Sequence, residues 1–356
     1  MATERTLQSD LPVPPGRLIA ETLAAKGVSQ AELARRMQRP APAINEIVHG
    51  RKEITAETAI QLERSLGVPA HVWLGLEAEY RHTKARQDED KRLARQAPLL
   101  RRFPYAAMAR LGWVPRGRTG AEKVSHLLNF FAVSSLDGVA HVEAVAYRLS
   151  KTHRADPEAL AAWLRKGEIE ALKIDTRPFE STQVRALLAE LRTMTALPSR
   201  QLLPRLTTAL ARCGVAFVLL PHLPKTHAHG ATKWLTPEKA LVIATTRGRW
   251  ADMFWFSVFH EVGHLLLHGR RATFVEWERG KRNGQEAAAD QFAAEHLIPR
   301  AHYDNFRTLA PTSARIRAFA RELGIAPGIV VGRLQHDGAI PDSAFNSLRD
   351  QLRPAA

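Results

Sequence analysis

His260 and His264 stand four residues apart in ADMFWFSVFHEVGHLLLHG, with Glu261 beside the first of them. That spacing is about one helical turn, so both imidazoles lie on one face and can share one metal ion. Glu261 projects toward the same place, where a carboxylate can take a proton from water activated by the metal. The chemistry these residue types suit is metal-assisted hydrolysis. The competing reading is a partly buried histidine pair in a core helix, and only further ligands decide between the two.

The composition restricts where those ligands come from. A single cysteine, Cys213 in ARCGVAFVLLP, excludes an intrachain disulfide and a cysteine-rich metal cluster, leaving His and carboxylates as ligands. Cys213 itself reads as a buried structural thiol. His268 extends the histidine series, but eight residues of helix place it ~12 Å from His260, outside any metal shell. It suits the C-terminal end of the helix instead. The next apolar helix, QEAAADQFAAEHLIP, offers Glu286 and Asp290 one turn apart on a common face, flanked by alanines that argue for an apposed surface. Glu286 would complete a His2Glu site for Zn2+, and Asp290 would orient a ligating histidine through its ring N–H. Glu276, Glu278 and Glu295 lack that arrangement. The H-E-x-x-H spacing is that of the zinc peptidases, with Glu261 as general base.

These residues need a scaffold. Asp252 is the expected cap of a helix of about four to five turns that stops at Gly269. Ahead of it, GVAFVLL, GATKWL and KALVIATT read as strands, the last two joined by a short TPE turn. The pair 230–246 would offer an edge to an extended substrate. Upstream, DPEALAAWLRKGEIEAL has Asp156 as cap and Pro157 in the first turn of an amphipathic helix, and QVRALLAELRTM and RQLLPRLTTALARC are two more helical stripes.

The front of the chain is different. VSQAELARRM opens with Ser29 and Glu32 as a capping box, and APAINEIVHG forms a second short helix after a tight break. Two short helices so joined predict a helix-turn-helix. Ser29, Gln30, Arg51 and Lys52 are candidate phosphate contacts, and Asn45 is a candidate adenine reader. Pro40 and Pro42, however, occupy the start of the recognition helix and donate nothing to a base edge, and Glu46 opposes a polyanion. DNA binding and a dimerisation or partner-docking bundle are the two readings.

Charge sharpens this. The net +15 is local: residues 1–80 carry 9 Lys and Arg against 10 Asp and Glu, whereas residues 81–125 carry 12 against 4. Arg92, Arg95, Arg101 and Arg102 head this run, which reads as a solvated helical surface or a sequence-tolerant polyanion contact. No apolar run approaches the ~20 residues of a membrane span, and MATERTLQSD has no signal-peptide core, so the expectation is a cytoplasmic protein with no membrane partner.

Two resemblances follow from these segments. PPGRLIAETLAAKGVSQAELARRM through NEIVHGRK to HVWLGLEAEY resembles the HigA-type antitoxin and repressor family, which implies DNA as a partner and a homodimer through the N-terminal domain. From about Gly214 to Gly338, the hairpin, DMFWFSVFHEVGHLLLHG, EAAADQFAAEHLIP and IAPGIVVGRLQHDG resemble the ImmA/IrrE metallopeptidases, several of which cleave a helix-turn-helix repressor. That resemblance implies His260, His264 and Glu286 as zinc ligands and Glu261 as base, with Asp290 where Asn or Asp is common. It also implies a repressor or antitoxin substrate in a stress or phage-linked switch. An oxyanion donor is needed as well, and His229, Lys233, Arg247 and Tyr303 all remain open.

The expected fold is therefore α+β: an all-α helix-turn-helix domain over residues 10–80 and a basic helical connector over 81–135. A zincin-like metallopeptidase region with a small sheet follows over 136–356, its catalytic core at about 214–300. The rival function is a DNA-binding antitoxin or autorepressor whose zinc is structural.

Overall fold

The computed structural model describes residues 11–144, 146, 155–245, 250–269, 273–277 and 284–352. It separates into two compact units, the first ending at Ala97 and the second beginning at Pro98.

The first unit is all-helical: α1 (Gly16–Lys26), α2 (Gln30–Arg36), α3 (Ala41–Val48), α4 (Ala56–Leu66) and the long α5 (Ala70–Gln96). Ser29 caps α2 by accepting the Glu32 N–H at 3.1 Å. The reciprocal half of the capping box does not form, because the Glu32 carboxylate turns to Arg35 at 2.5 Å and Arg36 at 3.0 Å. Charge-assisted bonds outcompete a neutral amide donor. Pro40 and Pro42 sit at the start of α3, where a missing N–H leaves no helical bond broken. The apolar stripes of the helices meet in one core around Leu33, Ile44, Ile47, Leu62 and Trp73. The Trp73 indole donates to the Val68 carbonyl at 3.0 Å, so the buried ring leaves no polar atom unsatisfied. Residues 81–96 of the basic run are the second half of α5, and the remainder of that run belongs to the second unit.

The second unit starts with α6 (Tyr105–Arg110), α7 (Gly120–Phe131), the single turn α8 (Val139–Val142), α9 (Pro157–Ala171), α10 (Ser181–Met194) and α11 (Ser199–Ala211). Strands β1 (Val215–Leu220), β2 (Ala228–Thr236) and β3 (Lys239–Thr245) follow, then α12 (Ala251–Leu267) and β4 (Phe274–Trp277). The chain continues through α13 (Gly284–Leu297), α14 (Arg300–Arg307), α15 (Ser313–Leu323) and α16 (Pro327–His336). The sheet order is β1-β3-β2-β4, with β1 parallel to β3 and β2 antiparallel to both of its neighbours.

The pleat assigns each strand residue to a layer. Val215, Phe217, Ala240, Val242 and Ala244 face α12 and share its core, whereas Leu241 and Ile243 meet α9 at Gly167. Asp156 caps α9 as its sequence predicts, accepting the Ala159 N–H at 2.9 Å. The helix is not amphipathic, however. Ala159 to Leu164 are all buried, as are Gly167, Glu168 and Ala171, since α9 lies under the sheet rather than on the surface.

One strand was not expected. β4 pairs with β2 over Ala228–Thr232, so the outer edge of the predicted strand pair is already occupied and β4 forms the sheet edge beside the site. Among the described residues, no helix is long and apolar enough to cross a membrane.

Candidate metal centre

Helix α12 starts at Ala251 with Trp250 as its N-cap residue and no side-chain cap. Asp252, the expected cap, is buried and pairs with both arms of Arg349, Nε to Oδ1 at 3.0 Å and Nη2 to Oδ2 at 2.8 Å. A bidentate guanidinium satisfies that carboxylate better than a backbone N–H would.

About two turns later the helix runs beneath the sheet, and His260, Glu261 and His264 are all at most 1% exposed. Glu286, from the first turn of α13, reaches both histidines: its Oε2 is 3.2 Å from His260 Nε2 and its Oε1 is 3.6 Å from His264 Nε2. The two Nε2 atoms are 3.0 Å apart, and one atom from each of the three residues lies within 4.8 Å of the others. Asp290, a turn along α13, accepts from His260 Nδ1 at 2.9 Å and so turns Nε2 toward Glu286.

The sheet closes the other side. Gly230 and Thr232 on β2, and Phe274 and Glu276 on β4, share the pleat face toward α12. Thr232 Oγ1 lies 2.5 Å from Glu261 Oε2, and the Phe274 ring stacks on His264 with centroids 4.2 Å apart. Glu261 Oε1 is buried and has no hydrogen-bond partner among the described residues. A Cβ at Gly230 would come within 2.6 Å of that oxygen, so only glycine lets the strand pass over the carboxylate.

Electrostatics follow from this crowding. Complete burial pushes the Glu261 carboxyl up to about 8, with His260 opposing and Glu276 and Glu286 adding to the rise. Burial works against the His260 cation, yet its bonds to Asp290 and Glu286 prevail and hold it at about 11. Burial likewise opposes the Glu286 anion, but the two imidazoles hold it at about 2. His264 is lowered, chiefly by burial. Two imidazole nitrogens and a carboxylate converging on one point beside an orphaned buried oxygen are a donor set that fits zinc.

The other candidates separate cleanly. His229 lines a cavity that Asp290 and Glu276 also line, because a register shift between Ala228 and Gly230 takes it out of the regular alternation. Lys233 sits on the opposite pleat face and is bound by Glu168 of α9, so it does not reach the metal residues. Tyr303 is buried under the Arg333 guanidinium, 4.7 Å from its ring centroid, in a cluster with Asp337 rather than with the histidines. Arg247 lies outside the described residues. His268 Nε2 bonds to the Gln285 carbonyl at 3.1 Å and takes no part in the ligand cluster. Sequence reasoning missed Gly230, Thr232, Phe274 and Glu276. The one readable signal was a glycine inside a strand pattern, a mark of close backbone approach.

In the first unit, Gln30, half-buried, and Asn45, exposed, meet at 3.4 Å between α2 and α3, with Arg51 and Lys52 exposed just beyond α3. Ser29 is engaged as the cap of α2. Arg92 is paired with Glu89 at 2.6 Å, and Arg95 lies in the last turn of α5. Arg101 and Arg102 belong to the second unit, where Glu158 holds Arg102 at 2.7 Å.

Residues 19–73 match the helix-turn-helix family model, and residues 237–335 match the peptidase-family model described as the IrrE N-terminal-like domain. The chain carries a helix-turn-helix domain and an IrrE N-terminal-like peptidase domain. Over 76 residues it is 37% identical to virulence-associated protein I of Dichelobacter nodosus, covering 21% of this chain and 70% of that protein. Among solved structures, it is similar to an addiction module antidote protein of the HigA family from Coxiella burnetii. That likeness has 29% identity and a TM-score of 0.22, over 24% of this chain and 94% of the other. The Pseudomonas aeruginosa antitoxin HigA, solved with the higBA promoter, shows 34% identity and a TM-score of 0.22, over 23% of this chain and 90% of its own. The IrrE-like match contains His260, Glu261, His264, Glu286 and Asp290, so the candidate ligand cluster lies inside the matched segment.

Proposed function

We propose that the protein is a zinc-dependent endopeptidase whose substrate is a helix-turn-helix repressor or antitoxin. The observation that carries this reading is the convergence of His260, His264 and Glu286 beside a buried Glu261 that has one unpartnered oxygen. When bound, zinc would activate a water and polarise the peptide carbonyl it attacks. Glu261 accepts the proton of that water at Oε1, since Oε2 is already bonded to Thr232. Glu261 must be ionised to act as the base, and a bound dication would favour that form over the protonated one that burial alone favours. The same carboxyl then returns the proton to the leaving amine. Asp290 fixes the ring of His260, and His229, which lines the cavity shared with Asp290, is our candidate donor to the developing oxyanion.

The helix-turn-helix match supports DNA binding by the first unit, for which Gln30, Asn45, Arg51 and Lys52 are the candidate contacts. Exposed Ile60 and Leu74 on the same unit support a homodimer. A DNA-binding autorepressor with a structural zinc is the second reading, favoured by the helix-turn-helix relative. Glu261 separates the two, because a structural site has no use for a base. Incubating the zinc-loaded protein with the helix-turn-helix proteins encoded beside its gene, and reading the products by mass spectrometry, tests the proposal. Cleavage lost in Glu261→Gln supports the peptidase. Intact partners, or equal cutting by the variant, would leave the autorepressor.

A further inference from the structure

A cavity of about 510 Å³ opens beside the metal residues. It falls within the ~300–1,000 Å³ range of sites that enclose a small organic group. Its lining surface is mainly apolar, from Met253 and Phe256 of α12, Leu297 and Ile298 at the end of α13 and Ile329 of α16, with Ser257, Gln291 and His336 among the polar residues that also line it. It is continuous with the site, since Asp290, which holds His260, lines it, and Phe256 lies one turn before His260 with ring centroids 6.3 Å apart. His229 and Glu276 line it from the sheet, and the Glu276 charge acts on both His260 and Glu261, which places that carboxylate at the metal end.

The charged groups of the other wall are matched within the fold. Asp252 is bound by Arg349, and Arg333 is bound by Asp337 at 2.7 Å. Away from the Glu276 end, an entering group therefore meets mainly hydrocarbon and neutralised pairs, which would penalise a charged side chain there and reward an apolar one. Met253, 39% exposed, is an apolar residue at its rim.

Resting on the peptidase reading above, we propose that this cavity is the specificity pocket of the site. It takes the large apolar side chain, aromatic or long aliphatic, of the substrate residue next to the bond that is cut. Phe256, Leu297 and Ile329 decide the preference by contact.

The test uses the full chain in two arms. In the first, methyl-labelled methionine reports binding of N-acetylphenylalaninamide against N-acetylalaninamide, with and without zinc; the chain has five methionines, so Met253 can be assigned by substitution. The aromatic probe should shift the Met253 methyl and the alanine probe should not. Ala294→Phe, which fills the cavity from α13, should weaken the aromatic probe by at least about tenfold. Gln291→Trp, from an exposed position over the same cavity, provides a second variant if the first does not fold. In the second arm, zinc-loaded protein cuts a peptide library. The preference for a large apolar residue over alanine beside the scissile bond should be at least about tenfold, and should fall toward one in the filled variants. An unmoved Met253 methyl, or cleavage with no apolar preference, overturns the pocket alone. Binding at Met253 with no peptide cut overturns the peptidase reading, and the cavity's role in cleavage with it.

Discussion

Thr232 Oγ1, on the sheet, lies 2.5 Å from Oε2 of Glu261, on the helix beneath it. One oxygen of the candidate base is therefore fixed, and the other is left to the substrate water. Glu261→Gln preserves the shape and the Thr232 contact while removing the base. It should retain zinc and lose cleavage by a factor on the order of 10² or more, read from initial rates and metal content on one preparation. Unchanged rates would remove Glu261 from the chemistry.

Glu286→Ala should lose zinc on dialysis, and Asp290→Asn should weaken zinc by about 10- to 100-fold without removing a ligand. Metal-free His260, at about 11, carries a proton through the neutral range and must release it to bind zinc. Apparent affinity should therefore rise about tenfold per pH unit between roughly pH 6 and 8 in a chelator competition. A flat profile would contradict the protonated state.

Gly230→Ala places a Cβ within 2.6 Å of Glu261 Oε1. The clash should cost about 1–3 kcal/mol and depress activity through a displaced base. Gly75→Ala is the comparison: it meets nothing within 4 Å inside α5 and should be neutral or stabilising by up to about 1 kcal/mol. Equal melting shifts for the two would show that the strand tolerates a side chain over the carboxylate.

Glu143 is 3% exposed, and burial, then the charge of Glu168, pushes it up to about 7. Below its unfolded value near 4.5 it is protonated in both states. Between about 4.5 and 7 only the unfolded chain ionises, so stability falls as pH rises through that window and stays lower above it. Glu143→Gln should be near neutral at about pH 4.5 and stabilising by up to roughly 3 kcal/mol at about pH 8, measured by denaturant melts. The opposite trend would mean that Lys233 and Arg165 dominate the site.

Arg51 and Lys52 are exposed beside α3, whereas Arg102 is held by Glu158. If the first unit binds duplex DNA, each of the first two should contribute about −0.9 to the slope of log affinity against log salt. Arg102→Ala should leave the slope unchanged and destabilise the second unit. Gel shifts at several salt concentrations decide this, and a slope that responds only to Arg102 would move the contact to the connector.

What was legible in the sequence was local. His260, Glu261 and His264 share a helix turn, and Glu286 and Asp290 share the next one, so spacing alone placed five residues that then met. The front helices were readable for the same reason, through the Ser29 cap and the apolar stripes. What was not legible depended on strand register. Lys233 and Thr232 are neighbours in the chain, but the pleat sends one to Glu168 and the other to Glu261. β4 is four residues long and too short to show alternation, so Phe274 and Glu276 gave no sign of lining the site. Asp252 looked like a cap because its partner, Arg349, comes from the other end of the domain.

That partnership ties the root of the histidine helix to a segment far along the chain. Asp252 and Arg349 are 97 positions apart, and their side chains are 7% and 9% exposed. A carboxylate buried this deeply without its guanidinium costs about 3–5 kcal/mol. The first turn of the histidine helix is therefore not fully seated until Arg349 docks, which couples formation of the candidate centre to folding of the segment that carries Arg349.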